Sequence, residues 1–149
     1  MIEHISLRCT DPKRSRDFYA QALAPIGYIQ DWVMGDAYAF KHKGHHDFWV
    51  TRGRIGTPLH VAFNCDKRSQ VDAFYEAALA AGGSDHGAPA LRRDYGPNYY
   101  AAYVLDPDGH NIEAVSFEKP RARSRPAKRS KPTRSKPTKR TSARGRKRK

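Results

Sequence analysis

Apolar and polar residues alternate over Leu59–Cys65, setting Leu59, Val61, Phe63 and Cys65 on one face of a strand and His60, Ala62 and Asn64 on the other. The same pattern occurs upstream, where Ile5, Leu7 and Cys9 share a face and His4, Ser6 and Arg8 share its reverse. His4 precedes His60, and Cys9 precedes Cys65, by the same 56 residues. At that offset Phe18-Tyr19 meets Phe74-Tyr75, Ala22-Leu23 meets Ala78-Leu79 and Gly27 meets Gly83, without a gap. A duplicated strand-plus-helix unit is the simplest reading.

The period then changes to that of a helix. Phe18, Tyr19, Ala22 and Leu23 form one apolar stripe, and Val71, Phe74, Tyr75, Ala78 and Leu79 form another. Asp11 before Pro12 predicts an N-cap and a first helical residue, and Pro25 and Gly27 predict the end. Asp66 is expected to cap the second helix, and Gly82-Gly83 to stop it. Tyr28–Met34, Ala37–Lys41 and Asp47–Thr51 read as three short strands joined at Gly35-Asp36 and Lys43-Gly44. In the second half, residues 84–98 are loop-rich with room for one short strand. Tyr99–Leu105 and His110–Phe117 flank an Asp-Pro-Asp-Gly turn. Each half reads β-α-β-β-β, with modules of about 1–55 and 56–118.

Charge divides the chain differently. Of 28 lysines and arginines, sixteen fall from Lys119 onward, where there is no aspartate or glutamate. Residues 1–118 therefore carry a net charge of about −3, although the whole chain stands at +13. Arg129-Ser-Lys-Pro-Thr133 is repeated at once as residues 134–138. With no apolar periodicity to offset ordering entropy, residues 119–149 are expected to be a disordered tail. Its charge suits salt-sensitive, sequence-independent binding to nucleic acid. It has no aromatic residues for base stacking. Cys9 and Cys65, one in each repeat, are read as buried thiols. A start without a charged leader and the lack of a long apolar run predict a cytoplasmic protein with no membrane span.

The strand Glu3-His-Ile-Ser-Leu7, the helix start Asp11–Tyr19, the strand Leu59-His-Val-Ala-Phe63 and above all Tyr103-Val-Leu-Asp-Pro-Asp-Gly-His-Asn-Ile-Glu113 resemble the vicinal oxygen chelate superfamily. That superfamily includes glyoxalase I, fosfomycin-resistance thiol transferases, bleomycin-binding proteins and extradiol dioxygenases. The resemblance covers roughly residues 1–118. It implies an α+β fold in which two tandem βαβββ modules form an open, curled mixed-sheet barrel around a metal and a substrate cavity. It also implies a homodimer and metal ligands at His4, His60 and Glu113. Imidazole and carboxylate donors suit one divalent ion, Zn²⁺, Mn²⁺, Fe²⁺ or Ni²⁺, with open positions for the adjacent oxygens of a small-molecule substrate. The expected activity is lyase/isomerase, thiol transfer or dioxygenation. The alternative is non-catalytic sequestration of a small molecule.

The sequence departs from glyoxalase I, which takes a second glutamate from the last strand of its first module. The glutamates here are Glu3, Glu76, Glu113 and Glu118, and Trp49 stands near that place. Strand parity adds Arg8 and Asn64 as substrate contacts beside the two histidines, and Trp49 is a further candidate. A four-residue loop at 106–109 would set Ala102 opposite Glu113 and Tyr100 on the glutamate's face, as a fourth contact. His42, His45 and His46 read as a solvated hairpin tip. His86 and His110 lie in turns.

Overall fold

The computed structural model describes residues 2–119. The basic tail, from residue 120, lies outside them. Strand β1 (Ile5–Cys9) leads into helix α1 (Pro12–Ala22), a 3₁₀ turn over Ala24–Ile26, and strands β2 (Ile29–Met34), β3 (Ala37–His42) and β4 (His45–Arg52). The second module repeats the order with β5 (His60–Cys65), α2 (Arg68–Ala80), β6 (Ser84–Leu91), β7 (Tyr100–Leu105) and β8 (Asn111–Ser116). Each module is a four-stranded mixed sheet, ordered β1-β4-β3-β2 and β5-β8-β7-β6, and neither sheet closes. In both, the first strand runs parallel to the last.

Local chemistry explains most element ends. Asp11 Oδ1 accepts from the backbone N–H groups of Lys13 and Arg14 at 3.0 and 3.2 Å, capping α1 as expected. The second cap differs from expectation, because α2 begins after Lys67 rather than Asp66. Gln70 Oε1 accepts from Lys67 N at 3.0 Å, and Glu118 Oε2 accepts from Arg68 N at 2.9 Å. A carboxylate from the far end of the module thus supplies the negative charge that a helix N-terminus favours. Strand β6 is longer than expected. It tolerates Gly87 and Pro89 because it is an edge strand with two register irregularities.

One core joins the modules. Leu7, Phe18, Tyr19, Phe40 and Phe48 from the first pack with Phe63, Val71, Phe74, Val104 and Ile112 from the second. Phe48 and Phe63 meet edge to face at 5.2 Å, a geometry favoured by the ring quadrupole. Polar contacts pin the same junction. Tyr19 Oη donates to Asp106 Oδ2 at 2.6 Å, and Thr10 Oγ1 to Asp108 Oδ1 at 2.5 Å. His110 is buried. One ring nitrogen accepts from Leu59 N at 3.0 Å, and the other lies 2.9 Å from Arg8 O. Its neutral ring therefore ties the end of β1 to the start of β5. Both cysteines are buried and free.

Candidate functional site

The reverse face of the second sheet carries the polar cluster. Neighbouring β5 and β8 pair His60 with Asn111 and Ala62 with Glu113. His60, Asn111 and Glu113 therefore project to the side away from Val61, Ile112 and the core. His60 Nε2 lies 2.9 Å from Glu113 Oε2. Tyr99 Oη donates to Glu113 Oε1 at 2.6 Å, and Asn111 Nδ2 lies 2.6 Å from His60 Nδ1. Glu113 is only 2% exposed, whereas half of the His60 side chain reaches solvent. A buried carboxylate is costly without partners, and here both oxygens accept. Burial, reinforced by the hydrogen bond to Glu113, pushes the Tyr99 phenol well above the ordinary tyrosine range, so it stays a proton donor. Tyr103 shifts the same way, through burial and then the Glu113 charge.

These groups border an open cavity of about 740 Å³ whose lining is completed by His86, Asp94, Tyr95 and Tyr103. Every lining residue belongs to the second module. The lining holds two carboxylates and neither lysine nor arginine. Arg92 is not part of the lining; its guanidinium lies over the Tyr103 ring and its Nη2 donates to Ala88 O at 2.9 Å.

The other expected site residues lie elsewhere. His4 precedes β1, is exposed and contacts the neighbouring Glu3 carboxylate. Among the described residues no three His, Cys, Asp or Glu side chains converge in one group, so the chain brings His60 and Glu113 together and leaves His4 apart. Arg8 donates through Nη1 to Arg52 O at 3.2 Å and lies against Gly53, outside the cavity lining. Asn64 lines a smaller cavity of about 220 Å³, with Ile5, Tyr28 and Asp47, between the modules.

Tyr100 requires a correction. The loop runs from Asp106 to His110, held by Asp106 Oδ1 accepting from the N–H groups of Asp108 and His110 at 2.9 and 2.8 Å. Leu105 therefore pairs with Asn111, and Tyr103 rather than Ala102 stands opposite Glu113. A one-residue change of register reverses every side chain. Tyr100 points to α2 instead, where its hydroxyl donates to Asp72 Oδ1 at 2.8 Å and Arg68 covers its ring. Tyr99 and Tyr103 occupy the face expected for it.

Trp49 occupies the topological place of Glu113. Ser6 pairs with Trp49 as Ala62 pairs with Glu113, and Ser6 and Ala62 are equivalent in the repeat. The Trp49 indole donates to His46 O at 3.1 Å and meets Trp32 edge to face at 5.3 Å. Where the second module carries a buried carboxylate, the first carries an aromatic pair.

A family model described as the Glyoxalase/Bleomycin resistance protein/Dioxygenase superfamily matches residues 1–114. The chain belongs to this superfamily. Among proteins like it, the uncharacterized protein YqjT of Bacillus subtilis (strain 168) is 28% identical over 136 residues, spanning 77% of this chain and 98% of YqjT. A glyoxalase/bleomycin resistance protein from Albidiferax ferrireducens T118 superposes with a TM-score of 0.66 at 26% identity, covering 76% of this chain and 96% of that one. A glyoxalase-related enzyme from Fulvimarina pelagi shares the fold at 19% identity, with a TM-score of 0.63 and coverage of 78% and 87%.

Within this glyoxalase-superfamily frame, Asn111, Tyr99 and Tyr103 are the cavity residues nearest His60 and Glu113 that sequence reasoning missed, and His86, Asp94 and Tyr95 of the lining were missed as well. Asn111 was within reach of parity, since it stands two residues before Glu113 on the same strand. Tyr99 and Tyr103 required the register of β7 against β8, which the turn sequence alone does not specify.

Proposed function

We propose that this protein is a metal-dependent small-molecule enzyme of glyoxalase-like type, acting on a substrate with adjacent oxygens. The observation that carries this reading is Glu113, a carboxylate buried in a cavity wall 2.9 Å from a half-exposed imidazole nitrogen. Such a pair suits a divalent ion. Its spacing is close to that of neighbouring donors at bond lengths of about 2.0–2.2 Å, and the buried negative charge favours a cation. His60 and Glu113 would hold the ion. What such an ion supplies is Lewis-acid polarisation of the substrate's oxygens.

The rest of the chemistry falls to the chain. Tyr103 presents a phenol that retains its proton, suited to hold a substrate oxygen by donation, while the Tyr99 proton is held by Glu113 Oε1. Tyr95 and Tyr103 provide apolar walls. Without lysine or arginine in the lining, the pocket selects against polyanions. Trp49 in the place of a second glutamate leaves the chain without a two-carboxylate proton relay, which disfavours methylglyoxal isomerisation relative to thiol transfer or dioxygenation.

Three protein ligands are the usual number for a catalytic zinc. On this reading His4 of a second copy supplies the third. The edge strand β2 exposes Ile29, Trp32, Val33 and Met34, an apolar row that a second copy would cover. Purified protein is expected to contain near one divalent metal per chain, and His60→Ala and Glu113→Gln to lose it. Metallated protein is then offered dicarbonyl–thiol adducts, epoxides with thiols, and catechols. Metal-free wild type after supplementation with zinc, manganese, iron and nickel salts would overturn the reading.

A second reading rests on a different observation. The His60–Glu113–Tyr99 cluster is already satisfied by its own hydrogen bonds, and its aromatic, acid-lined cavity suits sequestration of an organic cation through cation–π contact. Tight binding of aromatic amines by metal-free protein, with no turnover, would favour it.

A further inference from the structure

The Asn111 amide is half used. Its Nδ2 lies 2.6 Å from His60 Nδ1, while its Oδ1 is buried and has no hydrogen-bond partner. An amide N–H donating to Nδ1 requires a lone pair there. The ring proton is then on Nε2, where Glu113 Oε2 accepts it at 2.9 Å. In that state Nε2 has no lone pair to offer a cation.

If Nε2 is to be a ligand, the bookkeeping reverses. The ring remains neutral, so the proton that leaves Nε2 must reappear on Nδ1 by exchange with solvent, and Nδ1–H needs an acceptor. Turning the Asn111 amide about its terminal bond supplies one, by bringing Oδ1 to Nδ1. The atom now without a partner would become the one that fixes the ring. We propose that Asn111 is a positioning residue whose amide orientation selects the tautomer of His60, and so decides whether Nε2 donates to Glu113 or is free to bind a divalent ion.

The first module offers an independent parallel. Ile5 pairs with Phe48, so the residue beside His4 on the neighbouring strand is Asp47, as Asn111 is beside His60. Asp47 also has a buried, unpartnered Oδ1. A side-chain oxygen in reserve beside a histidine is the arrangement that orients metal-bound imidazoles; the contact itself is formed at His60 and Asn111, whereas His4 turns to Glu3.

The inference rests on the metal reading above, and the experiment separates the two. Nitrogen-15 NMR of the His60 ring, in metal-free protein at a pH where the wild-type ring is neutral, reads the tautomer directly. Wild type should show Nδ1 unprotonated. Asn111→Asp, which offers only acceptors, should show Nδ1 protonated. In parallel, Zn²⁺ affinity should be retained or raised in Asn111→Asp and fall about 10–100-fold in Asn111→Ala. A purely structural asparagine would make both variants equally poor. The proposal is overturned if Nδ1 is unprotonated in Asn111→Asp, or if wild type binds Zn²⁺ and both variants bind it equally well. Should wild type take up no Zn²⁺ while the NMR pattern holds, Asn111 still sets the tautomer, and it is the metal reading that fails.

Discussion

Tyr19 spans the two modules with a single hydroxyl, and its neighbourhood shows how burial turns an ordinary residue into a pH sensor. Burial, reinforced by the charge of Asp106, pushes its phenol well above the usual tyrosine range. Burial and then Asp47 push Tyr28 upward, and burial and then Glu113 push Tyr99 upward. A raised folded pKa means that the folded state keeps a proton that the unfolded chain gives up. The resulting stabilisation is complete below the ordinary tyrosine pKa of about 10 and is lost as pH rises through the folded values. Urea midpoints should therefore fall steeply above about pH 10. In Tyr19→Phe the fall should be shallower, from a starting stability lower by about 2 kcal/mol, the usual scale of a buried hydrogen bond to a charged group. A variant with an unchanged alkaline slope would show that Tyr19 is not a source of the dependence.

At the scale of elements, close packing decides more than composition. Gly83 leads from α2 into β6. A methyl group placed there would sit 2.5 Å from Val104 Cγ1, 2.9 Å from Phe18 Cε2 and 3.0 Å from the Ala78 carbonyl oxygen. Gly83→Ala should cost about 1–3 kcal/mol by overpacking, measurable as a lower thermal midpoint. Gly82→Ala, with open space around it but φ +93°, is the control for backbone strain alone. If both lose equally, packing is not the cause.

The 56-residue repeat made Gly83 visible as a partner of Gly27, and it made the first strand, the helix and the core faces of each module legible because burial enforces period, while β6, an irregular edge strand, was read mostly as loop. His60 stood out through the repeat, whereas Glu113, which has no counterpart there, was singled out by the resemblance to the superfamily. The register of β7 was not, because it hangs on Asp106 accepting two N–H groups within its own turn, a contact with no periodic signature. The cap of α2 escaped for a similar reason, since its carboxylate arrives from Glu118, fifty residues away. Where His4 goes is not written in its own strand at all, because its position depends on what packs against an exposed face.

For the whole molecule, the separation of His4 from His60 and Glu113 makes a sharp genetic prediction. If one copy supplies His4 to the cavity of another, mixing His4→Ala with His60→Ala protein should restore metal binding. The mixed dimer has one cavity lacking both histidines and one with all three ligands intact. Each parent alone should bind poorly. Equal loss in the mixture, with exchange of subunits verified by mass spectrometry, would place any complete site within one chain.

The exchange of Glu113 for Trp49 between equivalent places also has an optical consequence. Trp32 and Trp49 are the only tryptophans of the chain, and both belong to the first module, while the fluorophores in the cavity wall of the second are tyrosines. In a separate chain, a ligand entering the cavity would leave the indole emission unchanged. In an assembly that brings the first sheet of one copy over the second sheet of another, the same ligand would meet the indoles and alter their fluorescence. The duplication has thus left the protein with a built-in emitter on one half and a binding face on the other, and whether the two communicate by light is a direct reading of whether they have met.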